Sequence, residues 1–202
     1  VSPVSVIIPT WNRLDDLKHT LAVLKECNPA PAEIIVHVDA GDEDTAPYLR
    51  TNEPDVQVLQ STTQVGAPGG RNKLMDAVSA PYVASFDDDS FPEDRDYFAR
   101  VAQLFEAHTS IGLLDAVITH RNEAPTPETE ALYPVADFIG CGCAIRTEAW
   151  HDTHGYVDRP LASQGIEEPD LSLQLLDAGW TISHSGKLRV FHDTDLKHRD
   201  SP

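Results

Sequence analysis

"YVASFDDDSFPEDRD", residues 82–96, sets a short apolar run directly against three consecutive aspartates, Asp87, Asp88 and Asp89. The run reads as a buried β-strand, Tyr82 to Phe86, and the aspartates fall where that strand ends. Neighbouring like charges repel, and the chain is already acidic: 15 Lys+Arg against 33 Asp+Glu give a formal net charge of −18. Acidic triplets in general are solvated loops. This one takes a different meaning from the elements around it.

Upstream, strands and helices alternate. "VSVIIPT" (Val4 to Thr10) reads as a buried strand, and "NRLDDLKHTLAVLKEC" as a helix with Leu14, Leu17, Leu21 and Leu24 on one face and Asn12 as its N-cap. "AEIIVHVDAG" (Ala32 to Gly41) and "VQVL" (Val56 to Leu59) are the second and third strands, and "GGRNKLMDAV" (Gly69 to Val78) opens the next helix. This spacing predicts an α/β fold with a parallel sheet, right-handed crossovers and helices on both faces. Ligands of such sheets sit at the carboxyl ends of the strands. Three strands end there in polar clusters, "PTWNR", "VDAGDED" and "FDDDS".

The second half is less regular. "DYFARVAQLFEAH" reads as an amphipathic helix, and "THRNEAPTPETEALYPVAD" (Thr119 to Asp137) as a long surface loop. "FIGCGCAIRTEAW" reads as a strand running into a turn and a short helix. "EPDLSLQLLDAGW" reads as a helix stopped by Gly179, and "KLRVFHD" as a last strand. There are no internal repeats and no domain boundary, and 202 residues make one domain able to bury a full core.

The charge balance argues against a phosphate-neutralising nucleic-acid surface and against docking on anionic membranes. No apolar run approaches the ~20 residues of a transmembrane helix. Three cysteines, Cys27, Cys141 and Cys143, make no disulfide framework and no paired thiolate zinc motif, so a reducing, cytoplasmic setting is expected. The sequence opens at Val1 without a methionine and reads as a processed or excised piece of something longer.

Taken together, "VSVIIPTWNRLDDLKHTL", "IIVHVDAGDEDT", "VGAPGGRNKLMDAVSAPYVASFDDDSFP", "GCGCAIRTEAW" and "GIEEPDLSLQLLDAGW" resemble glycosyltransferase family 2, the nucleotide-sugar-dependent transferases of GT-A fold. The likeness runs from about Val4 to His192. It implies a mixed, mainly parallel Rossmann-like sheet in a single domain over residues 1–202, with a nucleotide-binding half over about 1–92 and an acceptor-binding half over about 93–202.

The resemblance also implies roles. Pro9, Thr10, Asn12 and Arg13 line the nucleoside pocket, Asp39 contacts the base, and Arg71, at a helix start, contacts the nucleotide. Asp89 is the ligand of a Mn²⁺ or Mg²⁺ ion, and Asp87 faces the ribose or the metal's water shell. Asp88 points the other way; His192 completes the metal shell or touches phosphate, with His184 and Lys187 as weaker phosphate candidates. A divalent cation suits this chemistry because it offsets charge developing on a diphosphate leaving group, and because hard cations take oxygen ligands. Glu168 stands where the family has its catalytic aspartate, with Glu167 and Asp170 as alternative bases. Gly140, Cys141, Gly142 and Trp150 lie on the acceptor side, and Trp150 and Trp180 read equally well as core aromatics.

The implied activity is inverting transfer from a nucleotide sugar, UDP-linked in most of the family, to an acceptor not named by these residues. The stop at "DTDLKHRDSP" implies a trimmed domain of a larger protein or an acceptor site completed by a partner chain. Two rivals stand beside it. A nucleotidyltransferase would carry a Gly-rich, basic signature after the first strand, which "PTWNRLDD" lacks, and a non-catalytic sugar- or nucleotide-binding module would explain glutamate in place of aspartate.

Overall fold

A computed structural model describes residues 1–157 and 165–194. In chain order the elements are β1 (Val4–Thr10), α1 (Leu14–Lys25), β2 (Glu33–Val38), α2 (Thr45–Asn52), β3 (Val56–Gln60), α3 (Gly66–Met75) and β4 (Tyr82–Ser85). There follow β5 (Ser90–Pro92), α4 (Tyr97–Ala107), β6 (Ile111–His120), β7 (Leu132–Val135), β8 (Ala144–Arg146), α5 (Thr147–His151), α6 (Glu167–Asp177) and β9 (Thr181–His192).

The strands form one mixed sheet in the order β3-β2-β1-β4-β8-β6-β9-β5, with β7 beside β9. β1 to β4 are parallel to one another, as the buried apolar runs predict. Strand period then divides the helices between the faces. Val4, Val6 and Ile8 of β1 pack with α1, α2 and α4 through Leu17, Leu21, Leu49, Phe98 and Phe105. Ile7, one residue out of phase, packs on the other face with Leu74 of α3, Trp150 of α5 and Leu171 and Leu175 of α6.

The second half places the site by a less obvious route. β9 pairs parallel with β6 along one edge, while its other edge takes antiparallel β7 at the start and antiparallel β5 at the end. In that register Ser90 lies opposite His192, and the Asp193 N–H donates to the Asp89 carbonyl at 2.8 Å. The end of the chain's last described strand is thus carried to the aspartates after β4.

Several expectations are corrected. Asn12 is not the N-cap of α1: Arg13 holds that position, and Asn12 sits in the left-handed region at φ 56°. α3 starts at Gly66 rather than Gly69, with Pro68 tolerated in its first turn, so Arg71 lies within the helix and not at its start. The segment expected to be one long loop contains β7. Among the described residues no helix is long and apolar enough to cross a membrane, and Cys27, Cys141 and Cys143 are buried free thiols. Residues 195–202, most of the final "DTDLKHRDSP", lie outside the described residues.

Candidate active site

A cleft of about 1150 Å³ opens at the carboxyl edge of β1, β2 and β4. Large enough for a nucleotide sugar, it is lined on one side by Pro9, Thr10, Arg13, Asp39, Arg71, Asp87, Asp88 and Asp89. His192, Gly140, Cys141, Glu167 and Glu168 complete its lining.

The three aspartates have separate surroundings. Asp87 is ion-paired with Arg71, whose Nε also donates to Ser85 Oγ at 3.3 Å. That guanidinium is buried, and its pKa is raised: burial is the largest influence and works to lower it, but Asp87 together with Tyr156, Cys143 and Glu168 outweighs it. Asp88 turns toward β1 and α1. Its Oδ2 accepts from Thr10 Oγ1 at 2.8 Å, its Oδ1 lies 3.3 Å from Arg13 Nη1, and its carbonyl accepts from Thr20 Oγ1 at 2.8 Å. Burial pushes its carboxyl up to about 7, against Arg13 and Thr10, so Asp88 ties the acidic turn to the first strand and helix.

Asp89 is buried, with Oδ2 at 2.7 Å from Arg13 Nη2 and 2.9 Å from Thr194 Oγ1. Its Oδ1 is buried with no aligned hydrogen-bond donor among the described residues, although His192 Nε2 is only 3.1 Å away. Burial works to raise its pKa, but His192, Arg13 and Thr194 hold it well below the usual carboxylate range. His192 Nε2 is also 4.0 Å from Asp87 Oδ2, and its Nδ1 is 3.3 Å from Cys141 Sγ. Carboxylate oxygens and an imidazole nitrogen around an orphaned, ionised oxygen fit a hard divalent cation such as Mn²⁺ or Mg²⁺.

The wall between β2 and α3 is built on Asp39. Its carboxylate accepts from the N–H groups of Ala40 (2.8 Å), Val65 (3.0 Å) and Gly66 (2.8 Å), fixing the first turn of α3 against the end of β2. Asn12 does not line the cleft; its backbone N–H donates to Asp42 Oδ2 at 2.8 Å, and Asp42 also accepts from Asp44 and Thr45 N–H.

Glu167 and Glu168, also in the cleft lining, begin α6. Glu167 folds back onto the N–H groups of Gly165 and Ile166, both at 3.0 Å. Half-buried Glu168 has no ion-pair partner among the described residues, and burial, aided by Glu167 and opposed by Arg71, raises its pKa. It is packed so closely over Gly140 that a Cβ there would stand 2.6 Å from Glu168 Oε1. Asp170 instead accepts from Gln174 Nε2 at 2.6 Å and lies off the cleft.

Gly142 and Trp150 are also away from it. Gly142, at φ 95°, packs under Val190, and Trp150 is buried against Tyr156. His184 is held by Asp115 at 2.7 Å and Lys187 by Glu130 at 2.7 Å, both outside the cleft lining. Sequence reasoning missed Trp11, His37, Gln64, His120, Arg121, Asp193 and Thr194, all of which line the cleft. Trp11 carried the one available signal: an aromatic in "PTWNR" that stays 48% exposed while its Nε1 donates to the Ala40 carbonyl at 3.1 Å.

Comparison with known proteins bears on the fold and the family. No curated protein sequence matches. Among solved structures, GalNAc-T7 with UDP, GalNAc and Mn²⁺ superposes with a TM-score of 0.80 at 16% identity, over 98% of this chain and 45% of its own. The mannosyltransferase PcManGT of Pyrobaculum calidifontis, in complex with GDP-Man and Mn²⁺, gives 0.78 at 16%, over 98% of this chain and 58% of its own. S. aureus TarS 1-349 gives 0.75 at 18%, over 94% and 60%. At such identities the likeness shows a shared fold, and this chain spans about half the length of these neighbours. The family model described as glycosyl transferase family 2 matches residues 5–152, which include the acidic turn and stop short of α6. With most of its length matched and its sheet shared with those transferases, the chain belongs to glycosyltransferase family 2.

Proposed function

We propose that this domain transfers a sugar, with inversion, from a nucleoside diphosphate sugar to an acceptor hydroxyl or amine. The observation that carries the reading is the presence in one cleft of two differently held acidic groups: arginine-paired Asp87 and Asp89, and Glu168, which has no ion-pair partner among the described residues. Two of the solved neighbours hold a nucleotide or nucleotide sugar with Mn²⁺, which supports the donor class; we propose a UDP-sugar as the donor.

In this reading Asp89, Asp87 and His192 hold Mn²⁺ or Mg²⁺. When bound, the cation supplies positive charge to the diphosphate leaving group. Arg13 and Arg71 add fixed positive charge beside the aspartates, and their ion pairs keep the carboxylates oriented. The exposed indole of Trp11 offers a flat apolar face for the nucleobase beside the wall that Asp39 organises.

Glu168 receives the acceptor's proton on its carboxylate. As it does so, the acceptor oxygen or nitrogen bonds to the anomeric carbon and the bond from that carbon to the diphosphate breaks. A single displacement of this kind inverts the anomeric centre. Glu168's raised pKa makes it a stronger base than an exposed carboxylate while burial shields it from bulk water.

The decisive test is nucleotide binding with and without Mn²⁺. UDP should raise the melting temperature only when Mn²⁺ is present, and Asp89→Ala should abolish that shift. Metal-independent binding that survives Asp89→Ala would remove the metal-held donor site and favour a metal-free binding module.

A further inference from the structure

We propose that Asp87, Cys141 and His192 form a mixed oxygen–sulfur–nitrogen site that takes a thiophilic divalent cation. Zn²⁺ or Cd²⁺ would then seat at the cleft floor in a different mode from Mn²⁺. The inference rests on the metal-site reading for Asp87 and His192, and adds a sulfur donor that this reading does not use.

Three separate elements converge to build it. Asp87 stands in the turn after β4, His192 ends β9, and Cys141 lies in the turn before β8. That last turn is pinned to β4 by two backbone hydrogen bonds, Gly142 N–H to the Ser85 carbonyl at 2.6 Å and Ser85 N–H to the Cys143 carbonyl at 2.9 Å. Cys141 therefore lines the cleft from a fixed position, with Sγ 3.3 Å from His192 Nδ1.

One ligand atom from each of the three lies within 4.8 Å of the others. Zinc bonds of about 2.0–2.3 Å leave two ligand atoms at most ~4.6 Å apart on one ion, so small side-chain rotations close the triad. Near it lies the buried Asp89 Oδ1, a further oxygen 3.1 Å from the imidazole's other nitrogen, Nε2.

The donor types decide the preference. Carboxylates alone suit Mg²⁺ and Mn²⁺, whereas a thiolate favours Zn²⁺ and its softer congeners. Coordination of Cys141 as thiolate releases its proton to solvent and changes no oxidation state. The other two cysteines are differently engaged: Cys143 Sγ is directed to the Gly140 carbonyl at 3.7 Å, and Cys27 Sγ to the Val23 carbonyl at 3.8 Å. A thiophilic ion in the triad draws Asp87 from Arg71 and His192 from Asp89. Zn²⁺ should therefore compete with Mn²⁺-dependent nucleotide binding.

Co²⁺ is the probe, because a cobalt–thiolate bond adds a near-ultraviolet charge-transfer band to the visible d–d bands of the ion. The wild-type chain should show both sets, Cys141→Ser should lose the charge-transfer band while keeping d–d absorption, and Cys143→Ser should retain both. Zn²⁺ affinity, read by competition with Co²⁺, should fall by roughly 10–100-fold in Cys141→Ser. X-ray absorption of the zinc-loaded wild-type chain, which needs no substitution, should register one sulfur in the zinc shell.

Co²⁺ binding with d–d bands alone, or a charge-transfer band that survives Cys141→Ser, overturns the sulfur ligand and leaves the donor-site reading standing. Failure of both Co²⁺ and Mn²⁺ to bind, with UDP present, overturns both.

Discussion

At the turn after β4 every carboxylate is ion-paired to an arginine, Asp87 to Arg71 and Asp88 and Asp89 to Arg13, whereas Glu168 at the start of α6 has no ion-pair partner among the described residues. The two regions use the same functional group, buried at Asp89 and half-buried at Glu168, and reach different protonation behaviour. Asp89 is held low by His192, Arg13 and Thr194 against the effect of burial, while burial prevails at Glu168 and raises it. Asp88 shows that pairing alone does not decide the matter, since burial outweighs Arg13 and carries it to about 7. A cleft that must keep one carboxylate as an anion and offer another as a proton acceptor separates them in this way.

Glu168→Gln breaks the comparison most severely. Loss of a general base lowers kcat by on the order of 10²–10⁴-fold, with the donor KM little changed. The pH profile gives the sign. Glu168 works ionised, so the wild-type kcat/KM should rise with pH through its pKa, and that rise should lie above the ordinary glutamate value of about 4.3. The glutamine variant should lose this acid limb. Transfer at the wild-type rate with the limb intact would take the base role away from Glu168.

Gly140→Ala tests the same side more gently. The added Cβ would stand 2.6 Å from Glu168 Oε1 and 3.7 Å from Arg71 Nη2. A glutamate end group can swing aside, so the fold should hold while the carboxylate is displaced. Misplacement on this scale should cost roughly 10–100-fold in transfer rate. Mn²⁺-dependent binding of UDP should persist, because the paired aspartates are untouched. A parallel loss of UDP binding would show that the two sides cannot be separated.

The difference between the sides also governs what could be read from the sequence. β1 and β2 are continuous apolar runs whose burial on both faces is written in their composition, and the polar clusters that follow them line the cleft. β6 went unread, because Asp115 in "IGLLDAVITH" looks like a surface residue; in the fold it accepts from Ile139 N–H and meets His184. β5 is three residues long and owes its existence to β9, so no local pattern announces it. The bond from Thr194 to Asp89 and the ion pairs of Arg13 with Asp88 and Asp89 join residues brought together by the sheet order. Trp150 and Gly142 drew attention by type and neighbourhood, yet their contacts are with Tyr156 and Val190.

Asn12→Gly carries the smallest expected effect and sharpens the donor side. A side chain that lined the nucleoside pocket would be missed on removal, and UDP affinity would fall. The observed geometry assigns the position to the backbone: φ is 56°, and the N–H donates to Asp42, which also holds the first turn of α2. Glycine adopts that conformation without penalty and keeps the N–H, at the cost of more freedom in the unfolded chain. Stability should therefore move by less than about 1 kcal/mol in denaturant melts, with UDP affinity unchanged. Asn12→Val, whose β-branch is strained at positive φ, should lose about 1–3 kcal/mol. If glycine instead weakens UDP binding while valine is tolerated, the turn after β1 contacts the nucleoside through the asparagine side chain, and the donor side is not positioned by the backbone and its ion pairs alone.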